Sequence, residues 1–171
     1  MSRYVNCVDD FDDLLAANAT YGETFSDGGF DGIAQAGVGI VTCMDSRIEP
    51  LAMLGLQLGD AKILRTPGGR VDHNTLEALV LAVHLLGVQR ILIIAHTRCA
   101  MSSNTTPELR RRIEASAKQD ASWLSVTAVA DQVESLADDV QKLRTHPLVP
   151  EGVVVGGFIY DVDTGILEHK F

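Results

Sequence analysis

The chain has 171 residues, of which 46% are hydrophobic, and its formal net charge at pH 7 is −9. This length and apolar content suit one globular domain with a buried core, and they exclude a disordered chain. The negative charge repels phosphate backbones and anionic lipid, so we expect a small-molecule partner and neither nucleic acid nor a membrane surface.

The sequence shows no targeting or membrane-spanning segment. Residues 1–13 contain four Asp and no apolar run of the kind found in a signal peptide. The most apolar stretch, 76–95, is interrupted by polar residues and a glycine, so it is typical of a helix, a turn and a strand. These observations predict a cytoplasmic protein.

Short apolar strands alternate with helical patterns along the chain. The predicted helices cover 9–18, 50–58, 74–86, 107–118 and 125–144. The predicted strands cover 37–43, 61–65, 90–95, 153–162 and 166–170, with a loop over 19–36 and a turn at 66–69. Strands separated by helices predict an α/β fold, a mainly parallel sheet flanked by helices, with a short C-terminal antiparallel strand. We expect one domain over residues 1–171.

Two of these helices depend on particular signals. Asn74 and Glu77 resemble a capping box at the start of the third helix, and Gly87 ends it. The last helix follows an apolar stripe at helical spacing that begins at Val126 and ends at Leu143.

The three cysteines are an odd number, which argues against a disulfide framework. In a reducing compartment, thiols more often bind metals, act in catalysis or are inert. Cys7 lies in a polar segment without a neighbouring His or Cys, and we expect it to be a silent free thiol.

The other two cysteines lie in short segments that each end an apolar strand. Cys43 ends the run 37–43, and His96 and Cys99 follow the run 90–95. Because ligands of parallel sheets bind at the carboxyl ends of the strands, the fold can bring these residues together. Two thiols and one imidazole are the ligand set of a zinc site with a free fourth position. The alternative is that both cysteines are buried small side chains and the histidine is a hydrogen-bonded loop residue.

Asp45 and Arg47 refine this prediction. Asp45 lies two residues after Cys43, within reach of the fourth zinc position or of a water on it. Arg47 can form a charge-assisted pair with that carboxylate. The spacing alone is equally consistent with a local turn and a surface ion pair.

In combination, the segments resemble the β-class carbonic anhydrases. The resemblance covers residues 37–101, with Cys-x-Asp-Ser-Arg, a Gly-Gly turn and His-Thr-x-Cys, and it resumes over 156–165. The short chain is similar to the compact bacterial members of the family.

The resemblance implies that Cys43, His96 and Cys99 are zinc ligands and that Asp45 and Arg47 are the catalytic dyad. In the family the Asp accepts a hydrogen bond from zinc-bound water or hydroxide, and the Arg holds the Asp away from the metal. In a closed state Asp45 would become the fourth ligand. The implied partnership is a homodimer or a dimer of dimers, with the helix 9–18 packed on the partner.

The implied reaction is the reversible hydration of CO2 to bicarbonate and a proton by zinc-bound hydroxide. Two alternatives stay open: hydrolysis of carbonyl sulfide or carbon disulfide at the same site, and a non-catalytic zinc- or bicarbonate-binding protein.

Three positions depart from the family pattern, and one of them is Thr66-Pro67, which replaces a commonly seen Asn-Ala. Ala100 follows the second zinc-site cysteine, where the family usually has Gly, and a positive φ there would cost about 1 kcal/mol. Arg98 stands where many relatives have a small or acidic residue.

Overall fold

The computed structural model describes residues 11–29 and 31–171, and these belong to two compact units divided at Gly32. In the first unit, helix α1 spans Asp12–Thr24 and all of its residues are exposed. The helix predicted over 9–18 was therefore wrong at its end, since it continues through residues predicted as loop. Residues 9 and 10 and Cys7 lie outside the described residues. The single domain over 1–171 stays a prediction.

The second unit, 32–171, contains the alternating strands and helices that the sequence predicted. Its strands are β1 Val38–Cys43, β2 Ala61–Thr66, β3 Arg90–His96, β4 Val154–Tyr160 and β5 Leu167–His169. Its helices are α2 Pro50–Met53, α3 His73–Leu85, α4 Thr106–Ala117 and α5 Gln132–Arg144, with a 3-10 turn over Pro67–Gly69.

The five strands form one sheet in the order β2-β1-β3-β4-β5. The first four strands are parallel, and β5 runs antiparallel to β4. This confirms the predicted α/β fold with a C-terminal antiparallel strand. Because β1 and β3 are parallel neighbours, their last residues, Cys43 and His96, lie at the same edge of the sheet.

The core lies on both faces of this sheet, and β1 is buried along its whole length. Successive strand residues point to opposite faces, so Val41 packs with Leu79 of α3 and Val140 of α5. Ile40 and Ile94 pack on the other face. The central strands are therefore rigid supports for the residues at their ends.

Among the helix boundaries that differ from the prediction, three have a local explanation. Helix α5 begins at Gln132, because the Asp131 side chain accepts hydrogen bonds from the first free N–H groups of the helix. Helix α3 is capped by Asp72, which accepts from the backbone N–H of Thr75, so the capping pair predicted from Asn74 was wrong. Helix α2 is a single turn that is followed by Gly55 at positive φ.

None of the helices in the described part of the chain is long and apolar enough to cross a membrane.

Candidate metal centre

The sheet brings Cys43, His96 and Cys99 together. Cys43 is the last residue of β1, His96 is the last residue of β3, and Cys99 lies in the turn that follows β3. All three side chains are buried, and their ligand atoms lie within 4.8 Å of one another. The two sulfur atoms are 4.0 Å apart. Two thiolates on one tetrahedral zinc ion are about 3.8 Å apart, so this spacing fits the ion.

The histidine has the orientation and the free nitrogen that a metal ligand needs. The side chain of His96 is fully buried, and its Nδ1 lies 2.9 Å from the carbonyl oxygen of Thr97. A proton on Nδ1 satisfies that bond and leaves the lone pair on Nε2. Within the described ranges, His96 Nε2 is one of two buried side-chain nitrogens without a hydrogen-bond partner. An orphaned, buried nitrogen beside two sulfurs fits a cation between the three groups.

The pKa values of the two cysteine thiols are shifted in opposite directions. A hydrogen bond from the Cys99 thiol is the main cause that lowers the pKa of Cys43 well below its usual range. That same bond, followed by burial, raises the pKa of Cys99. One thiolate therefore forms readily, and a divalent cation would displace the second proton, because only the thiolate is a metal ligand.

Asp45 and Arg47 form a bidentate ion pair at the rim of this cluster. Arg47 Nε lies 2.9 Å from Asp45 Oδ1, and Arg47 Nη2 lies 2.7 Å from Asp45 Oδ2. The backbone N–H of Arg47 also donates to Oδ1 at 3.0 Å. The Arg47 side chain is the main cause that holds the pKa of Asp45 well below its usual range, so the carboxylate stays charged. Asp45 Oδ2 lies 3.9 Å from His96 Nε2, so a carboxylate oxygen faces the ligand cluster.

The loop between Cys43 and Ile48 is held from the neighbouring strand. Arg65, near the end of β2, donates to the carbonyl oxygen of Asp45 at 3.2 Å and to that of Ile48 at 2.6 Å. These two bonds fix the backbone on both sides of Arg47. The dyad is therefore positioned by the sheet and not only by its own turn.

The Gly68–Gly69 turn passes directly under the site. Gly69 has a φ of 68°, and a Cβ atom there would lie 2.7 Å from the carbonyl oxygen of Ile94. Only glycine allows both this conformation and this approach. The turn brings its backbone against Cys43, where a bond from Gly68 also lowers the pKa of that thiol.

A cavity of about 450 Å³ opens beside these residues. Its walls combine the dyad and both cysteines with apolar side chains, namely Met44, Pro67, Ala100 and Met101. The cavity therefore gives a small molecule an approach lined by both apolar and charged side chains.

The family model described as carbonic anhydrase matches residues 38–167. The chain belongs to the β-class carbonic anhydrase family. β-Carbonic anhydrase 1 of Mycobacterium tuberculosis is 31% identical over 158 residues, which cover 92% of this chain and 96% of that protein. The crystal structure of a carbonic anhydrase from Streptococcus mutans is 36% identical and has a TM-score of 0.84, covering 93% and 96% of the two chains.

A carbon disulfide hydrolase from Acidithiobacillus thiooxidans is more distant. It is 29% identical over 147 residues, which cover 75% of this chain and 74% of that protein. Membership of the carbonic anhydrase family makes this chain a zinc enzyme that catalyses the reversible hydration of CO2.

Of the two departures that flank Cys99, Arg98 and not Ala100 has the unusual backbone. Ala100 is not among the described residues with positive φ, so the expected cost of its methyl group does not arise. Arg98 has a φ of 54°. The residue that bears the strain therefore lies between His96 and Cys99.

Three contributors to the site were not predicted from the sequence. Arg65 holds the dyad loop, Gln132 donates to the carbonyl oxygen of His96 at 2.9 Å, and the carbonyl oxygen of Arg98 accepts from Arg47 Nη2 at 3.3 Å. Arg65 carried a usable signal, since it lies near the carboxyl end of a predicted strand. Gln132 carried none, because it was placed inside a continuous helix over 125–144.

Proposed function

We propose that Cys43, His96 and Cys99 hold the zinc ion and that Asp45 and Arg47 are the groups that make the site catalytic for CO2 hydration. The observation that carries this proposal is the bidentate Asp45–Arg47 pair, which lies against three buried donor atoms that fit zinc. A surface ion pair would not need a carboxylate oxygen 3.9 Å from a buried, unpaired imidazole nitrogen.

A zinc ion held by these three residues would lower the pKa of a coordinated water toward neutrality, an effect for which carbonic anhydrase is the standard example. Asp45 accepts a hydrogen bond from the attacking water at Oδ2, the oxygen that faces the ligand cluster. This bond would hold the water in one orientation beside the cavity that admits CO2.

Arg47 controls which of two positions Asp45 takes. With both carboxylate oxygens engaged by the guanidinium, Asp45 is held away from the ligand cluster and the fourth position stays available. Release of Arg47 would leave a bare carboxylate beside the cation, where it would become the fourth ligand and exclude water. The pair is therefore both the positioning device and the gate of the reaction.

The apolar wall of the cavity suits the substrate. CO2 is small, linear and uncharged, and it enters a site lined by Met44, Pro67 and Met101 without losing strong hydrogen bonds to water. Bicarbonate is charged and polar, so the same wall favours its departure. The cavity therefore suits a site at which CO2 and bicarbonate are interconverted.

The same wall would also accept carbonyl sulfide or carbon disulfide, which are linear and still less polar. The experiment that separates these substrates measures CO2 hydration by stopped flow and sulfide release from the two sulfur compounds on one preparation of known zinc content. We expect CO2 hydration to dominate by a large factor. Sulfide release without CO2 hydration would make the chain a sulfur-compound hydrolase, and neither activity with zinc bound would make it a binding protein.

We further propose that the chain forms a homodimer or a dimer of dimers and that it lies in the cytoplasm. Helix α1 exposes large apolar side chains, including Leu14 at 58% and Tyr21 at 57% exposure, and an apolar patch of this kind marks a protein–protein contact. A second copy of the chain is the partner that would cover them. A cytoplasmic location keeps both zinc-site thiols reduced, which metal binding requires.

A further inference from the structure

Arg98 occupies a backbone conformation that an arginine adopts only at a cost. Its φ is 54°, in the left-handed region, and the only other non-glycine residue with positive φ in the described ranges is Lys118. Lys118 is the C-cap of α4, where left-handed residues are ordinary. Arg98 instead lies between His96 and Cys99, in the turn that carries two of the three proposed zinc ligands. Strain of this kind persists only where surrounding contacts hold it.

The strained conformation has a direct contact with the dyad. It points the carbonyl oxygen of Arg98 at Arg47, whose Nη2 donates to it at 3.3 Å. The same Nη2 donates to Asp45 Oδ2 at 2.7 Å. The Arg98 carbonyl oxygen therefore holds the same guanidinium nitrogen that binds Asp45. If residue 98 relaxed to negative φ, this carbonyl would turn away and Arg47 would lose one of its anchors.

The side chain of Arg98 provides the contact that holds the strain. It forms an ion pair with Asp163, which lies in the turn between β4 and β5. That turn is itself fixed, because Asp161 Oδ1 accepts from the backbone N–H groups of Asp163 and Thr164 at 2.8 and 3.3 Å. The turn is also tied to the ligand loop, since the N–H of Val162 donates to Thr97 Oγ1 at 3.1 Å. The ion pair thus joins two anchored segments.

We propose that Arg98 and Asp163 are positioning residues that hold residue 98 in the left-handed conformation, and that this conformation keeps Arg47 engaged with Asp45. The inference deepens the proposed function, since it rests on the roles assigned to Asp45 and Arg47. The β4–β5 turn carries no proposed ligand, but through Asp163 it would help to keep the Asp45–Arg47 pair intact.

Three substitutions at these positions give an ordered set of outcomes. Arg98→Ala removes the ion pair, but its Cβ atom still makes the positive φ unfavourable. The value of kcat/KM should therefore fall about five- to tenfold. Asp163→Asn removes only an exposed ion pair, so kcat/KM should fall about two- to threefold. Arg98→Gly removes the ion pair and also the strain, since glycine adopts this φ without cost, and the loss should stay within about twofold.

The double variant Arg98→Gly/Asp163→Asn is the decisive comparison. With glycine at 98, the conformation no longer needs the ion pair, so Asp163→Asn should add no further loss. An undiminished effect of Asp163→Asn in this background would overturn the proposal. The matched control is Glu168→Gln, which breaks another exposed ion pair, that with Lys170 on β5, and should leave kcat/KM unchanged.

Two further readouts separate positioning from general damage. Only the conformation with Arg47 engaged binds substrate productively, and the variants populate this conformation less. The loss in kcat/KM should therefore appear mainly as a higher KM, with kcat retained. A lower kcat at constant KM in all variants would indicate lost active protein and would contradict the proposal.

The second readout does not need activity. In the ¹⁵N-labelled apo-protein, solvent exchange of the Arg47 Nε proton should be faster in Arg98→Ala than in Arg98→Gly. If this order holds but the wild type does not hydrate CO2, then the proposed function fails and the positioning stands. If the wild type is active but all variants exchange at the wild-type rate, then the positioning is wrong.

Discussion

At the scale of single residues, the chemistry depends on how Asp45 is held. Its Oδ1 closes a local turn with the backbone N–H of Arg47, and both oxygens bind the guanidinium group. The same local turn occurs at Asp120, whose Oδ1 accepts from the N–H of Ser122 at 3.2 Å. What distinguishes Asp45 is therefore not its turn but its bidentate partner and its distance of 3.9 Å from His96 Nε2.

Asp45→Asn should lower kcat/KM for CO2 hydration by about 100-fold or more, because the amide loses the charge that binds Arg47 and orients the attacking water. The zinc content should stay at one per chain, since the three proposed ligands are untouched. The measurement is stopped-flow hydration with metal analysis of the same sample. Asp120→Asn is the control for a broken turn and should be fully active, whereas equal losses in both variants would contradict the role of Asp45.

The positions of the site residues were predictable because they follow from strand ends. Cys43 and His96 each end an apolar run, and parallel neighbours bring such residues to one edge of the sheet. The contributions of Arg65 and Arg98 were not predictable, because they act through backbone carbonyl oxygens and a φ angle that sequence spacing does not specify.

At the scale of elements, the Gly68–Gly69 turn connects the sheet to the site. Gly69 approaches the ends of β1 and β3 so closely that a Cβ atom would lie 3.3 Å from the backbone nitrogen of Cys43 and 2.7 Å from the carbonyl oxygen of Ile94. Gly55 has nearly the same φ, at 65°, but no atom lies within 4 Å of its Cβ position. The two glycines therefore separate the effect of φ from the effect of close approach.

Gly69→Ala should lower the free energy of unfolding by about 3 kcal/mol and speed zinc release to a chelator, because both the backbone strain and the steric clash must be relieved at Cys43. Gly55→Ala should lower the free energy of unfolding by about 1 kcal/mol and leave the rate of zinc release unchanged. Urea unfolding and a colorimetric chelator assay measure the two effects. Equal behaviour of the two variants would show that the turn does not support the metal centre.

Helix α5 is attached to the Gly-Gly turn through a buried carboxylate. Asp139 is fully buried, and it accepts from Arg70 Nε at 2.5 Å, from Lys142 Nζ at 2.8 Å and from the N–H of Val71 at 3.0 Å. Burial raises the pKa of Asp139, but these donors outweigh it, and the net pKa is lowered. Asp139 therefore stabilises the folded state as an anion.

Asp139→Asn should lower the free energy of unfolding by about 3 kcal/mol at pH 7, because two cations lose a buried partner. A carboxyl with a lowered pKa stabilises the fold above its unfolded pKa of about 4, and this stabilisation is lost as the pH falls below that value. The difference in the free energy of unfolding between wild type and Asp139→Asn should thus become smaller in acid. The control is Asp138→Asn, at an exposed neighbouring position on α5. A difference in unfolding free energy between wild type and Asp139→Asn that grows below pH 4 would contradict this account.

Element types were predictable, whereas several boundaries were not. Apolar runs and helical stripes predicted all five strands and the order of the helices in the second unit. The stripe from Val126 predicted a helix seven residues too long, because Val129 continues the apolar spacing while pairing through its backbone with Met101. Tertiary contacts of this kind override a periodic pattern that sequence alone cannot distinguish from a helix.

At the scale of the whole molecule, the net charge of −9 and the local chemistry of the site act in opposite directions. The acidic surface keeps polyanions away, whereas at the edge of the sheet that carries the cavity Arg47 and Arg98 neutralise Asp45 and Asp163, and Arg65 adds a positive charge. A small neutral substrate is not affected by the surface charge, and an anionic product is repelled once it leaves the site.

The proposed assembly makes a prediction for helix α1. Leu14 and Tyr21 are seven residues apart and share one exposed face of the helix, so Leu14→Glu should place a charge in the interface and shift the chain to a monomer. Light scattering coupled to gel filtration measures the mass. Thr20→Glu, on another face of α1, should leave the oligomer intact, and a wild-type chain that is already monomeric would contradict the proposal.

The most direct test of the account is stopped-flow CO2 hydration by protein with one zinc per chain, at pH 7 and pH 8.5, beside the chelator-treated protein. Two thiolates give the zinc more negative charge than three imidazoles would, so the water it polarises is less acidic, and turnover should rise between these two pH values. Asp45 does not contribute to this rise, because its lowered pKa keeps it ionised throughout. Turnover that rises with pH and disappears with the metal is the predicted result, whereas no turnover at either pH from fully zinc-loaded protein would contradict the account.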